Sequence, residues 1–224
     1  MHFLILGANG RTGQLATAVS LRRGHTVTAV VRRASTMTYN EGLTIIEGSP
    51  LRADDIEKAM ASRLPDAVLV TLAASRTTDS PFSAPASPRF FIRDCIGNAL
   101  TSMKTHGVRK LIVMSVFGIG SSWSQLAWPL KAMFKYTNMK FQTEDHQAAD
   151  VKIREVGEEW MALDWQLVRP VMLKDAEVAK PVRRFGEEGK GVGMFDSVRR
   201  ISVAEFLVKA AEGIRGKTAV VIAN

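Results

Sequence analysis

Cysteine is almost missing from this sequence, in which Cys95 stands alone among 224 residues. No intrachain disulfide can form, so a small cross-linked scaffold is excluded and a reducing cytoplasm suits the chain. Cys95 itself reads as a small buried apolar residue. Tyrosine occurs only twice and aromatic residues make up 7% of the chain, so chemistry that depends on a phenol has few candidates. No uninterrupted apolar run approaches the roughly 20 residues that a membrane-spanning helix needs. The apolar start Phe3-Leu4-Ile5-Leu6 follows His2 instead of a basic segment and runs straight into glycine, unlike a secretory leader. His, Cys, Asp and Glu do not fall at metal-ligand spacing, so no metal site is expected. Without an internal repeat or a linker, residues 1–224 read as one domain.

What is present describes an ordinary globular chain. Hydrophobic residues make up 46% and charged residues 23%, enough to bury a large core. The excess of Lys and Arg over Asp and Glu gives a net charge of +8. That charge is diffuse, and no interleaved basic and aromatic segment marks a nucleic-acid surface. The expected partner is therefore a small molecule, with no nucleic acid and no membrane, in a soluble cytoplasmic monomer or homodimer.

Short apolar runs alternate with helix-like stretches, as in a chain of βαβ units. The expected strands are Phe3–Leu6, Thr26–Val31, Leu43–Glu47, Ala67–Leu72, Lys110–Met114 and Trp165–Val168, with a last one at Thr218–Ile222. Each is nearly continuous in apolar residues, as strands become when helices cover both sheet faces. The implied architecture is α/β: a three-layer, Rossmann-like, doubly wound parallel sheet with a small C-terminal part covering the substrate. Helices are expected at Thr12–Arg23, Asp54–Ala61 and Arg89–His106, and Ser202 with Glu205 stands in capping-box register for a final one. Ser75 to Pro88 and Gly118 to Pro129 read as long loops leaving the fourth and fifth strands, where open α/β sheets bind ligands. The glycine-rich segment from Lys180 to Arg200 reads as a third, mobile or substrate-covering stretch. Phe90, Phe91 and Trp160 read as core, whereas Trp123, Trp128, Phe134 and Met139 read either as core or as the wall of a flat substrate pocket.

The segment Phe3 to Gly13 carries the most information. A buried strand delivers Gly7, Gly10 and Gly13 into the start of a helix, the context in which such a motif seats a dinucleotide. Side chains at Gly7 or Gly10 would block the tight turn or the approach of a pyrophosphate, and Gly13 lets the helix meet the strand. The helix N-terminus then offers oriented amides to phosphate, with Arg11 and Thr12 able to add side-chain contacts. The second strand ends in Arg32-Arg33 with no carboxylate at that end. An acidic residue there would suit a free ribose 2′-hydroxyl, whereas two guanidiniums suit a 2′-phosphate, so the expected cofactor is NADP (NADPH).

GANGRTG followed by Arg-Arg, then IVMSVFGIG, Asp145-His146 and DWQLVRPVML, resembles the atypical short-chain dehydrogenase/reductase superfamily. The likeness is greatest to its NAD(P)H-binding group, which includes biliverdin reductase B (flavin reductase) and NmrA-like proteins, and it covers nearly the whole chain. The resemblance implies that Gly7, Asn9, Gly10, Arg11, Thr12 and Gly13 hold the pyrophosphate and that Arg32 and Arg33 hold the 2′-phosphate. It places Gly48 and Ser49 beside the adenine, where such proteins often carry Gly-Asp. Thr71, Leu72 and Ala73 would lie along the cofactor, Ser115 beneath the nicotinamide, and Pro170, Val171 and Met172 at its carboxamide.

Two proton donors are open. Many members of the superfamily use a Tyr acid adjusted by a Lys four residues on, and on one helix Tyr136 and Lys140 would share a face, with Ser115 polarising the carbonyl. The alternative is His146, as donor or as substrate contact. If neither acts, a quinone or flavin-type acceptor can take its proton from water. The leading expectation is an NADPH-dependent oxidoreductase acting on a small carbonyl, quinone or flavin-type acceptor. A redox-sensing NADP-binding regulator and an isomerase or dehydratase on the same fold are the alternatives.

Overall fold

The computed structural model describes residues 1–78 and 80–224. In chain order the elements are β1 (His2–Leu6), α1 (Arg11–Arg22), β2 (Thr26–Val31), β3 (Leu43–Glu47), α2 (Ala53–Ser62), β4 (Ala67–Val70), α3 (Phe91–His106) and β5 (Lys110–Met114). They continue through α4 (Trp128–Tyr136), α5 (Met139–Glu159), β6 (Asp164–Pro170), β7 (Met172–Lys174), β8 (Arg183–Arg184), β9 (Ser197–Arg199), α6 (Arg200–Gly213) and β10 (Lys217–Ala223). Eight strands form one sheet in the order β3-β2-β1-β4-β5-β6-β10-β8, and β7 pairs with β9 beside it. Every rung from β3 to β10 is parallel, and only β8 joins antiparallel, at the β10 edge. The fold is Rossmann-like, with the chain reversing its direction of winding between β1 and β4.

Alternation along each strand explains why the runs are apolar throughout. Phe3 and Ile5 of β1 enter one core, beneath α1 and α6, while Leu4 and Leu6 enter the other, beneath α2, α3 and α5. In β5, Ile112 and Met114 enter the first core, Leu111 and Val113 the second. A sheet covered on both faces favours apolar side chains at nearly every strand position, and a polar exception such as Thr28 is hydrogen-bonded, here to His2. Cys95 lies wholly in the second core, where burial pushes its thiol up to about 12.

Several expectations need correction. The final helix starts at Arg200, so Ser202 is no cap: its buried hydroxyl accepts from the Lys180 amide at 2.8 Å, while Glu205 pairs with Arg22. The segment from Lys180 to Arg200 is pinned, not loose. It contributes β8 and β9, and Phe185 donates its backbone N–H to Val221. The Gly118 to Pro129 loop contains a 3-10 turn over 120–125 and gives Pro129 to the first turn of α4. The Ser75 to Pro88 stretch, described except for Asp79, is irregular apart from one bridge between Arg76 and Pro85. Phe91 and Trp160 are partly buried against the core, but Phe90 is not a core residue. It precedes α3 with φ +58° and ψ +30°, its ring 4.8 Å from the Arg89 guanidinium and 4.3 Å from that of Arg93. Phe134 is buried and Met139 half-buried, whereas Trp123 and Trp128 stay on the surface.

Among the buried polar side chains, one is a cation placed inside a strand. Arg169 of β6 is 0% exposed, and its guanidinium donates to Asp150 of α5, to the Ser121 hydroxyl and to the Glu187 carbonyl. Asp150 also accepts from Arg154, which reaches Glu187. The cluster ties a sheet strand, a helix, the 120–125 turn and the β8 segment together. Removing Arg169 leaves Asp150 paired with Arg154 alone, so the cost is that of a lost charge-assisted bond, about 1.5–3 kcal/mol. Arg169→Met is therefore expected to lower urea-unfolding stability by that amount, and adding Asp150→Leu is expected to recover much of it. Equal stability of the single variant and the parent would contradict this account.

Candidate nucleotide and substrate site

The glycine turn connects the end of β1 to α1. Gly7 has φ +89°, and a Cβ there would lie 2.9 Å from the Leu72 amide nitrogen. A Cβ at Gly13 would lie 2.0 Å from the Gly7 carbonyl oxygen, so only glycine allows the helix to meet the turn this closely. Thr71 closes the same point from β4 by donating its hydroxyl to the backbone oxygens of Leu6 and Gly7. Gly10 precedes α1, and neither a side-chain cap nor an acidic residue occupies the first turn. The helix therefore presents its free amides and positive dipole end outward. Thr12 adds a buried hydroxyl oxygen with no hydrogen-bond partner among the described residues. A space that a Cβ would fill, an uncapped helix and an orphaned hydroxyl fit a phosphate-bearing group.

Asn9 links this turn to the next. Its carboxamide donates to the Thr36 hydroxyl at 3.5 Å, and Thr36 donates to the Arg33 carbonyl at 2.7 Å. Arg32 and Arg33 are exposed just past β2, and among the described residues neither guanidinium has an ion-pair or hydrogen-bond partner. Glu47, in register with Val31, is occupied in capping the Ala34 amide at 2.9 Å. Gly48 and Ser49 follow β3. In place of an acidic residue at 49, Asp55 of α2 accepts the Ser49 amide and leaves no room for a Cβ at Gly48.

Ser115 follows β5 and donates its backbone N–H to the Val168 carbonyl at 2.7 Å. Its side chain is buried but has no protein hydrogen bond among the described residues. Strand alternation puts Ser115 and Arg169 on the face covered by α3 and α5, after Val113 and Leu167. Beside them Pro170 ends β6 and accepts from the Phe117 amide, Val171 is buried and Met172 is 52% exposed. Leu72 is buried and Ala73 exposed at the start of the connection that leaves β4.

The two candidate acids separate sharply. Tyr136 ends α4, Thr137 is extended at ψ +176°, and Lys140 belongs to α5, so the pair does not share one helical face. Tyr136 is 74% exposed, and its ring meets Lys135, whereas Lys140 lies over Phe141. His146 is 4% exposed on α5, one turn before Asp150. Among the described residues its imidazole has no hydrogen-bond partner, and burial lowers its pKa to about 4. Asp145 does not hold it. Its carboxylate accepts from the Ile92 and Arg93 amides at 2.9 and 3.0 Å and so caps α3 from another helix. Burial raises the pKa of Asp145 against those two bonds. Sequence reasoning missed this cap and the Arg169–Asp150 cluster; an arginine inside an apolar strand was the available signal.

Comparison with known proteins places this geometry. A family description of NAD(P)H-binding proteins matches residues 7–213. The anaerobilin reductase ChuY of Escherichia coli O157:H7 superposes with a TM-score of 0.76 at 18% identity, covering 100% of this chain and 97% of that one. A short-chain dehydrogenase/reductase of Veillonella parvula, in complex with NADP, gives 0.73 at 17%, with 100% and 94% covered. WbmH of Bordetella bronchiseptica, in complex with NAD+, gives 0.67 at 16%, with 97% and 74% covered. No helix among the described residues is long and apolar enough to cross a membrane, and no metal-binding group of side chains occurs among them.

His2 is also buried, and its pKa also falls to about 4, chiefly by burial. Between pH 6.5 and 4 the unfolded chain binds protons that the folded imidazoles refuse, so stability is full above 6.5 and declines as pH falls. Unfolding in urea at pH 7 and 5 is expected to show a loss of about 2 kcal/mol for each histidine. His146→Gln should remove about half of that pH dependence, and an unchanged dependence would overturn the assignment.

Proposed function

The chain belongs to the NAD(P)H-binding family, and on that premise we propose that it is an NADPH-dependent reductase of a small planar quinone, flavin-type or carbonyl acceptor. The observation that carries the nucleotide choice is the unpartnered pair Arg32 and Arg33 past β2, with the neighbouring Glu47 already committed to Ala34. Gly7, Gly10 and Gly13 give a pyrophosphate access to the α1 amides, and the Thr12 hydroxyl gains in a phosphate oxygen the acceptor it lacks. The reductase activity named for ChuY supports the reaction class. When bound, the nicotinamide supplies a hydride.

The chain's own part is to hold and shield the acceptor. Ser115 offers a free hydroxyl at the carboxyl end of β5, and His146 offers a neutral ring N–H. Leu72 and Val171 close apolar walls nearby. With a pKa near 4, His146 is uncharged at neutral pH and serves as a hydrogen-bond donor to the acceptor, not as a charged acid. The proton then comes from water, which favours quinones and flavins over simple carbonyls.

NADPH absorbance in the presence of quinone, flavin and carbonyl panels tests the reading, with consumption expected for the first two. Nucleotide binding without consumption would favour the regulatory alternative. Arg32→Ala with Arg33→Ala is expected to weaken NADPH binding about a hundredfold, the equivalent of two lost charge-assisted bonds, and NADH only slightly. Equal losses would remove the 2′-phosphate assignment. Tyr136→Phe is expected to leave turnover unchanged, whereas His146→Ala should lower kcat about tenfold.

A further inference from the structure

The short β7–β9 ladder carries an unbalanced charge. Its register sets Met172 opposite Ser197, Leu173 opposite Val198 and Lys174 opposite Arg199. Leu173 and Val198 turn into the core, so Met172, Lys174, Ser197 and Arg199 share the outward face. Two cations therefore stand directly opposite each other, an arrangement that costs stability unless an anion lies between them. A cavity of about 350 Å³ opens on this face, lined by Lys174, Ser197 and Arg199 together with Lys180, Asp175 and Asn224.

The acidic side chain of the lining is already paired with a cation outside the ladder. Asp175 is engaged by Arg200 at 2.7 Å. The Asn224 carboxamide accepts from the Arg199 amide and donates to the Lys180 and Pro181 carbonyls. Arg199 donates one side-chain N–H to the Val178 carbonyl, which holds its guanidinium in place without neutralising it. The Lys180 backbone is fixed by Ser202 and Asn224. Among the described residues Lys174, Lys180 and Arg199 have no ion-pair partner.

We propose that this cavity is an anion site for the carboxylate or phosphate of the acceptor, read by Lys174 and Arg199 with Lys180 at the rim. The ligand's identity as acceptor rests on the reductase reading above, whereas the site itself rests on the ladder. Met172 begins the same outward face, and Lys174 follows it by about 7 Å of strand. An acceptor whose planar part lies by Met172 thus presents an acidic tail to the cations. The enzyme accordingly selects acidic over neutral acceptors of the same ring system.

Riboflavin and riboflavin 5′-phosphate differ in that one group and serve as the probe pair. The unaltered protein is expected to show a KM about tenfold lower for the phosphorylated flavin. In Lys174→Gln with Arg199→Gln the KM ratio should fall to about one, and in Lys174→Glu alone, at an exposed position, it should invert. A second readout needs no turnover: inorganic phosphate, titrated into the protein, should raise the Tm of the parent more than that of Lys174→Glu. Equal KM values in the parent, or a phosphate preference that survives both variants, would overturn the site while leaving the reductase reading intact. A phosphate-dependent Tm difference without flavin reduction would keep the site and reject the reductase.

Discussion

The structure depends on one contact in which no side chain can stand. Gly13 lies so close to the Gly7 carbonyl that a methyl group would sit 2.0 Å from it, and Thr71 bonds the same turn from the neighbouring strand. Three elements, β1, α1 and β4, therefore converge at the point where the winding of the sheet reverses. Branching strands leave a crevice there, and the helix end aims its amides into it. The turn fixes the position of α1, and α1 in turn packs against α6, which covers the first core.

A second constraint operates on the opposite face. Arg169 is buried without exposure and commits its two terminal nitrogens to Asp150, Ser121 and Glu187. Such a cluster contributes little net stability compared with an apolar replacement, but its geometry is specific. Here it joins β6 to α5, to the turn that follows β5 and to the segment after β8, so these elements are held in one frame. The glycine turn relies on close backbone packing, the Arg169 cluster on charge.

Much of this was legible in the sequence, because strands buried on both faces are written as continuous apolar runs and glycines between a strand and a helix have few other uses. The positions of the parallel strands, the glycine turn and the basic end of β2 all follow from such local signals. Tyr136 and Lys140 show where local signals fail. Their spacing suits one helix, but Thr137 adopts an extended backbone and the helix restarts at Met139. Ser202 and Glu205 match a cap in register, yet each is used in a contact distant in sequence, with Lys180 and with Arg22. The partners of Arg169, of Asp145 and of the β7–β9 ladder were illegible for the same reason: they lie between 18 and 53 residues away along the chain.

The cap that Asp145 places on α3 has a consequence for how such a protein can change. The start of α3 is secured by a carboxylate from α5, not by a residue of the long connection that precedes it. That connection, between Val70 and Phe91, is thus released from the duty of ending in a capping residue. Its length and composition can drift, or be exchanged by grafting, while the helix behind it stays in place. Evolution can retool the mouth of the crevice without rebuilding the wall.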